Sequence, residues 1–280
     1  MKNAHLKNLD VDFLYHLGID SSQNLKEKFG DVQVVCMMGS ATRIAEFAQK
    51  VSTTLGIPEV EPIGKSERAS LFKVGPVLCA SHGMGAPSIL IFLHELSKLI
   101  QYAEAKKVAF IRIGTSGTLG LTPGTVVVSS AVMNGKFEYQ FEQIGLGKTV
   151  TYPTHIHQFL AFALLDMKGD IKAESGITLG TDDFYEGQGR LDGALQPPYS
   201  VEERNAFLQA AYDKGVRNIE MESTAFSAFC HRANIPAAIV CATFIDRLKG
   251  DQVTTTAEQQ HEFTGYADQL VLQFLDKTIN

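Results

Sequence analysis

The sequence predicts an α/β fold, a single domain in which a mixed, twisted central β-sheet is flanked by α-helices. Short β-branched runs alternate with amphipathic segments along the chain, the pattern of a sheet with helices packed on it. The 280 residues, 45% of them apolar, suffice for one full-sized core. No Pro/Gly/Ser-rich or charged stretch reads as a linker, so one domain is expected over residues 1–280.

In chain order, strands are expected at Val32 to Met38, Leu71 to Val74, Val77 to Ala80, Val108 to Ile113, Thr125 to Val132, Ile177 to Gly180 and Ala237 to Phe244, each a short apolar run rich in β-branched residues. Lys73-Val74-Gly75-Pro76-Val77 reads as a tight turn joining the second and third. Helices are expected at Thr42 to Leu55, Pro87 to Ala105, His155 to Met167, Val201 to Lys214, Glu222 to Ala233 and Ala257 to Thr278. The segment after Pro87 shows the logic. Proline suits a first helical turn, and Ile89, Phe92, Leu93, Leu96, Leu99, Ile100 and Ala103 recur at three- and four-residue spacing as one buried stripe. No internal repeat or low-complexity tract interrupts the pattern.

The net charge of −6, with Lys and Arg scattered rather than striped, excludes a basic nucleic-acid surface. Any anion chemistry must come from a local arginine cluster. Cys36, Cys79, Cys230 and Cys241 sit in apolar contexts with no C-x-x-C pair, and are expected as buried free thiols of a reducing compartment. The start, MKNAHLKNLDVD, lacks the apolar stretch of a signal peptide, and no run reaches the ~18 apolar residues that span a bilayer. A cytoplasmic address without a membrane partner is therefore expected.

Glycine-rich strand ends are where α/β sheets place ligands, and four segments carry polar chemistry at such places. In VVCMMGSATRIAEFA a strand runs into Gly39 and then a helix, presenting N–H groups to an anion with Arg43 one turn in. The alternative is a plain turn glycine and a solvated arginine. G-x-G-x-x-G is absent, so this is no dinucleotide fingerprint. In AFIRIGTSGTLG, Arg112 interrupts an apolar strand that ends in Gly114-Thr115-Ser116-Gly117. A buried arginine needs a carboxylate or a bound anion, and the adjoining hydroxyls favour a polyoxygen ligand such as phosphate or sugar.

In DDFYEGQGRLDGA, Gln188 and Arg190 offer donor, acceptor and guanidinium fork, suited to a pyrimidine's imide edge, with Phe184 able to stack on its ring. An ordinary polar loop is the other reading. In VRNIEMESTAFSAF, Glu220, Met221 and Glu222 stand where a strand enters a helix. A carboxylate there can hold the vicinal hydroxyls of a ribose, or simply complement the helix dipole. His155 and His157, two apart on the expected helix, face different sides and make a poor metal pair, so no metal site is expected.

The segments GSATR, SERASLFKVGPVLCASHGMG, IRIGTSG, DFYEGQGRLDGAL, GVRNIEMES and DRLKGDQ strongly resemble those of the animal uridine phosphorylases, within the first nucleoside phosphorylase family. The likeness runs from about Leu9 to about Val253. It implies a nucleoside phosphorylase/hydrolase-like fold and reversible phosphorolysis of uridine, extending to deoxyuridine, to uracil and a pentose 1-phosphate in pyrimidine salvage. Inorganic phosphate is then a co-substrate and no cofactor is expected. The resemblance implies phosphate binding by Gly39, Arg43, Arg112 and Thr115, with Arg68 reaching in from a neighbouring subunit. It implies ribose binding by Thr115, Met221 and Glu222, with His16 approaching the 5′-hydroxyl from the partner chain. It implies uracil binding by Ser116, Gly117, Phe184, Gln188 and Arg190, with Arg247 near the base helping to order the closing loop. Arg112, Glu222, Gln188 and Arg190 are the expected catalytic group, and a homo-oligomer follows, a dimer by likeness to the animal relatives.

Two positions depart from the family pattern. Ser40-Ala41 stands where many members carry Asp-Pro, and Asp246 where uridine phosphorylases usually carry asparagine and purine-cleaving relatives aspartic acid. Asp246 leaves a purine-tolerant phosphorylase open. A nucleosidase of the same fold is opposed by three matched phosphate arginines, and a catalytically silent nucleoside-binding paralogue by the intact set of Arg, Gln and Glu positions.

Overall fold

In the computed structural model, which describes residues 3–58, 60–64 and 68–279, the apolar runs form buried strands and the amphipathic segments form the helices that cover them. A 3-10 turn at Ala4–Asn8 is followed by the paired short strands β1 (Phe13–Leu14) and β2 (Ile19–Asp20) and helix α1 (Leu25–Phe29). Then follow β3 (Val34–Met38), α2 (Ala41–Leu55), β4 (Glu61–Pro62), β5 (Leu71–Val74), β6 (Val77–Ser81), α3 (Ala86–Tyr102), β7 (Ala109–Thr118) and β8 (Val126–Asn134). The chain continues through β9 (Gln140–Gly145), β10 (Lys148–Pro153), α4 (Gln158–Asp166), β11 (Ala173–Gly180), α5 (Val201–Asp213), β12 (Val216–Glu220), α6 (Ser223–Ala233), β13 (Ala237–Asp246) and α7 (Ala257–Ile279).

Among the described residues nine strands form one sheet in the order β12-β11-β8-β13-β7-β3-β6-β5-β4. β3 is parallel to β6 and β7, β13 to β7, and β11 to β8 and β12, whereas β13 is antiparallel to β8 and β5 to β6. The expected mixed sheet is therefore present, and it also closes on itself. β12 pairs antiparallel with the end of β7 through Asn218↔Thr118 and Ile219↔Gly117, so β7, β13, β8, β11 and β12 form a ring.

β3 and β6 are buried at every position, which is why they read as continuous apolar runs without alternation. α2 buries Ile44, Phe47, Ala48 and Val51, and α3 buries Ile89, Phe92, Leu93, Leu96 and Leu99, both at helical spacing against the sheet. The expected tight turn also holds: Val74 pairs with Val77 across Gly75-Pro76, and Gly75 takes the left-handed φ of 53° that the turn needs.

Two expectations need correction, and one hairpin is not expected from the sequence at all. β7 runs to Thr118 rather than Ile113, because residues 114–118 keep their ladder to β13 although their small side chains carry no strand signature. His155 and His157 are not on a helix. α4 begins at Gln158, His157 caps it by accepting the Leu160 N–H at 3.3 Å, and His155 packs on the His231 ring at a centroid distance of 5.1 Å. The β9–β10 hairpin is unforeseen, since its strands are polar and only partly covered; its two-residue turn places Leu146 and Gly147 at φ 51° and 77°.

Candidate active site

The carboxyl ends of β3, β6, β7, β12 and β13 converge on a cavity of about 420 Å³, the place where α/β sheets put their ligands. Its first wall is the turn from β3 into α2. Close approach requires Gly39, since a Cβ there would lie 2.9 Å from the Gly83 carbonyl oxygen of the neighbouring turn. Ser40 Oγ accepts the Arg43 N–H at 3.3 Å and so caps α2. That amide is used, and the guanidinium of Arg43 is what this turn offers an anion. Arg43 lines the cavity and makes no ion pair among the described residues. Burial draws its pKa down, yet an arginine stays charged there.

Arg112 forms the second wall. Gly114 makes room for it, because a Cβ on that residue would come within 2.7 Å of Arg112 Nη1. The guanidinium, 3% exposed, pairs with Glu220 at 2.9 Å and donates to Glu222. The partner that the buried arginine requires is thus supplied by carboxylates, and no ligand anion is needed to account for it. Glu222 also accepts the Gly85 N–H at 2.6 Å. Glu222, at the N-cap position of α6, complements the helix dipole by charge alone, for its side chain makes no capping bond. Glu220 takes that part, accepting the Glu222 and Ser223 N–H groups at 3.0 and 2.9 Å.

The two carboxylates are tuned apart. Burial pushes Glu222 up, but the Arg112 guanidinium and the Gly85 N–H outweigh it and hold Glu222 below its ordinary value. Burial dominates at Glu220 and raises it despite the same guanidinium. Glu222 is therefore the carboxylate whose ionised form its surroundings favour at the cavity.

The third wall is the loop after β11. Asp183 accepts the Tyr185 and Gly187 N–H groups, each at 2.6 Å, and curls residues Glu186–Gln188 into a 3-10 turn that carries Gln188 and Arg190 inward. Both end buried. Arg247, wholly buried, lies beneath and donates to the Gln188 carbonyl at 2.9 Å and to Gln188 Oε1 at 3.4 Å. Oε1 thus keeps one lone pair, and the amide NH2 of Gln188 is free to donate to a ligand.

Asp251 ties this loop to the chain after β13. Its Oδ1 accepts from Arg204 at 2.6 Å and Arg247 at 2.9 Å, its Oδ2 from the Leu191 N–H at 2.9 Å, and its carbonyl from Arg190 at 2.5 Å. The Phe184 ring stacks on the Arg190 guanidinium, 4.0 Å from carbon to centroid. Ser116 donates to the Ala242 carbonyl at 3.3 Å and accepts from Asn218 at 3.0 Å, so only a lone pair remains to it for a ligand.

One cavity thus brings together Gly39, Arg43, Arg112, Thr115, Ser116, Gly117, Phe184, Gln188, Arg190, Met221 and Glu222. Three expected site residues lie outside its lining. Arg247 supports Gln188 from below rather than facing the cavity. Arg68 is exposed at the bend before β5, and Ser66 and Glu67 of the same motif fall outside the described residues. His16, after β1, has its Nδ1 2.7 Å from Glu95 Oε1. Asp246 also lies outside: its carboxylate accepts the Gly120 and Leu248 N–H groups at 3.0 and 3.2 Å and pairs with Lys249 at 3.0 Å. It pins two turns and does not line the cavity.

Among the lining residues that sequence reasoning passes over are His82, Met84, Glu220 as a cap, and Phe244, which stands where the register of β13 with β7 shifts. For His82 a signal was available, a histidine set between an apolar strand and two glycines in ASHGMG.

A family model of the phosphorylase superfamily matches residues 33–280. The chain is 42% identical over 288 residues to uridine phosphorylase 2 of Mus musculus, covering 100% of this chain and 90% of that protein. It is 40% identical over 282 residues to inactive uridine phosphorylase B of Schistosoma mansoni, covering 98% of this chain and 95% of that protein. A crystal structure of uridine phosphorylase from Schistosoma mansoni in complex with thymidine superposes with a TM-score of 0.96 at 42% identity, covering 100% of this chain and 98% of the other.

Proposed function

The chain belongs to the phosphorylase superfamily, and within it we propose a uridine phosphorylase of the animal type, a pentosyltransferase that uses phosphate to split uridine reversibly into uracil and ribose 1-phosphate. The observation that carries this is one cavity with three kinds of wall. It offers a cation that forms no ion pair among the described residues (Arg43), an ionised carboxylate braced by an arginine (Glu222 with Arg112), and a buried amide and guanidinium (Gln188 and Arg190). Phosphate, ribose and pyrimidine are the three chemistries these walls fit.

In the reaction, Gly39, Arg43 and Thr115 hold phosphate on one face of the sugar, with Arg112 adding charge from behind Glu222. Each oxygen of Glu222 carries one hydrogen bond already and keeps a lone pair, so the carboxylate can accept both vicinal ribose hydroxyls and aim C1′. Met221 packs against the sugar. As the bond from C1′ to uracil N1 breaks, positive charge grows on the sugar beside the phosphate, and negative charge grows on the base. The Arg190 fork and the Gln188 NH2 meet the latter, so their bonds strengthen in the transition state. No covalent nucleophile or cofactor is required, and phosphate is the co-substrate.

The placement of Arg68 and His16 outside the cavity of their own chain supports a dimer in which each completes the neighbour's site. The whole chain is taken as one phosphorylase domain, and its four buried free cysteines suit a cytoplasmic enzyme. No helix among the described residues is long and apolar enough to cross a membrane. Likeness to a relative described as inactive makes a silent paralogue the alternative to exclude, and the complete set of walls opposes it. The test compares kcat/KM for uridine and inosine at saturating phosphate. Uridine is expected to lead by about 100-fold or more, because a site built for an imide edge leaves buried polar groups unpaired with the wrong base. Comparable values would overturn the pyrimidine assignment.

A further inference from the structure

His82 follows β6 and is 1% exposed, yet its ring lines the cavity and neither ring nitrogen has a hydrogen-bond partner among the described residues. Its backbone is fully used, the N–H donating to the Met38 carbonyl at 2.8 Å and the carbonyl accepting from Ser88 Oγ at 2.6 Å. The ring is therefore held in place by its chain and not by its nitrogens. Native interiors rarely leave a buried donor and acceptor both unmatched, and a polar side chain so placed beside a cavity points to a ligand.

The ring's position selects which ligand. A Cβ on Gly39 would lie 3.8 Å from His82 Cε1, the carbon between the two nitrogens, so the nitrogen-bearing edge faces the turn that opens α2. The charges that act on the ring are Arg112 from β7, Arg43 from α2 and Glu222 at the start of α6. Burial, and then Arg112, push its pKa down to about 3, so the ring is neutral and carries one N–H and one lone pair.

We propose that His82 is a phosphate-binding residue of this site, donating its ring N–H to the oxyanion that Arg43 attracts at the Gly39 turn. The inference rests on the phosphorylase reading for the identity of the anion. A neutral donor there adds a directed bond to a dianion without adding charge beside Arg43 and Arg112.

The test uses the full-length protein, with inorganic phosphate as the probe, and the variants His82→Phe, which keeps a ring without nitrogens, and His82→Gln, which keeps a donor. Calorimetric phosphate binding and the KM for phosphate are expected to weaken about tenfold or more in His82→Phe and to recover in part in His82→Gln, while the KM for uridine moves by less than about threefold. The melting temperature without phosphate is expected to hold, since no protein hydrogen bond is lost, and the rise on adding phosphate to shrink. Unchanged phosphate affinity in a folded His82→Phe protein, or a loss confined to uridine, would overturn the proposal. A wild-type protein that binds phosphate through His82 but leaves uridine intact would sink the uridine assignment and spare this one.

Discussion

Asp251 is not in the lining of the site cavity, yet its removal should act on the base and not on phosphate. The Asp251→Asn change removes a charge from an oxygen shared by Arg204 and Arg247, which are 8% and 0% exposed. Breaking a buried ion pair costs about 3–5 kcal/mol. Arg247 keeps the Gln188 carbonyl, Arg204 keeps the Gly189 carbonyl, and the asparagine oxygen can still accept from one guanidinium, so the cost falls below that range, at about 2–3 kcal/mol. That loss falls on the segment carrying Gln188 and Arg190, whose order must be restored on binding. It corresponds to roughly 30- to 150-fold in kcat/KM for uridine. Steady-state kinetics with uridine varied at saturating phosphate, and then the reverse, separate the two substrates. The uridine KM should rise while the phosphate KM stays within about threefold. A rise confined to phosphate, or no change in either, would refute the reasoning.

Other consequences follow from the same geometry. His82 has an ordinary pKa of 6.5 and a folded value of about 3, so between those limits the unfolded chain binds a proton the folded one refuses, and stability falls as pH falls. His82→Phe removes that contribution: urea unfolding between pH 6.5 and 4 should show an acid slope shallower by up to about 1.4 kcal/mol per pH unit, and equal slopes would contradict it. Asp246→Asn should leave the ratio of uridine to inosine turnover within about twofold of wild type, since the carboxylate binds two turn amides outside the cavity. Arg68→Ala and Glu222→Ala proteins, each nearly inactive, should recover roughly a quarter of wild-type activity when their subunits exchange, because half the dimers then hold one intact site of two. Exchange proven by co-purification without recovered activity would refute the shared site.

Much of the fold is legible because burial on both faces writes itself as apolar runs, as in β3 and β6, and helix faces as periodic stripes, as in α3. The ring closure of β12 onto β7 is not, since ladder bonds at Asn218 and Thr118 come from the backbone and leave no mark in side-chain type. The site is legible where chemistry is costly. An arginine inside an apolar strand and a carboxylate at a strand end both demand partners, and Arg112 and Glu222 supply one another. What escapes is the division of labour between neighbours. Glu220 and Glu222 are alike in sequence, and only the chain's path decides which caps α6 and which turns to the cavity. Asp246, suspicious by residue type, is explained by two amides that no local pattern reveals.

Phosphate dependence is decided by incubating the protein with uridine, with and without inorganic phosphate, and following the reaction by 31P NMR and uracil release. Uracil is expected to appear only with phosphate, with a sugar phosphate resonance growing in step with it. Uracil released at the same rate without phosphate, with free ribose as the co-product, would contradict it, as would uridine left unchanged in both.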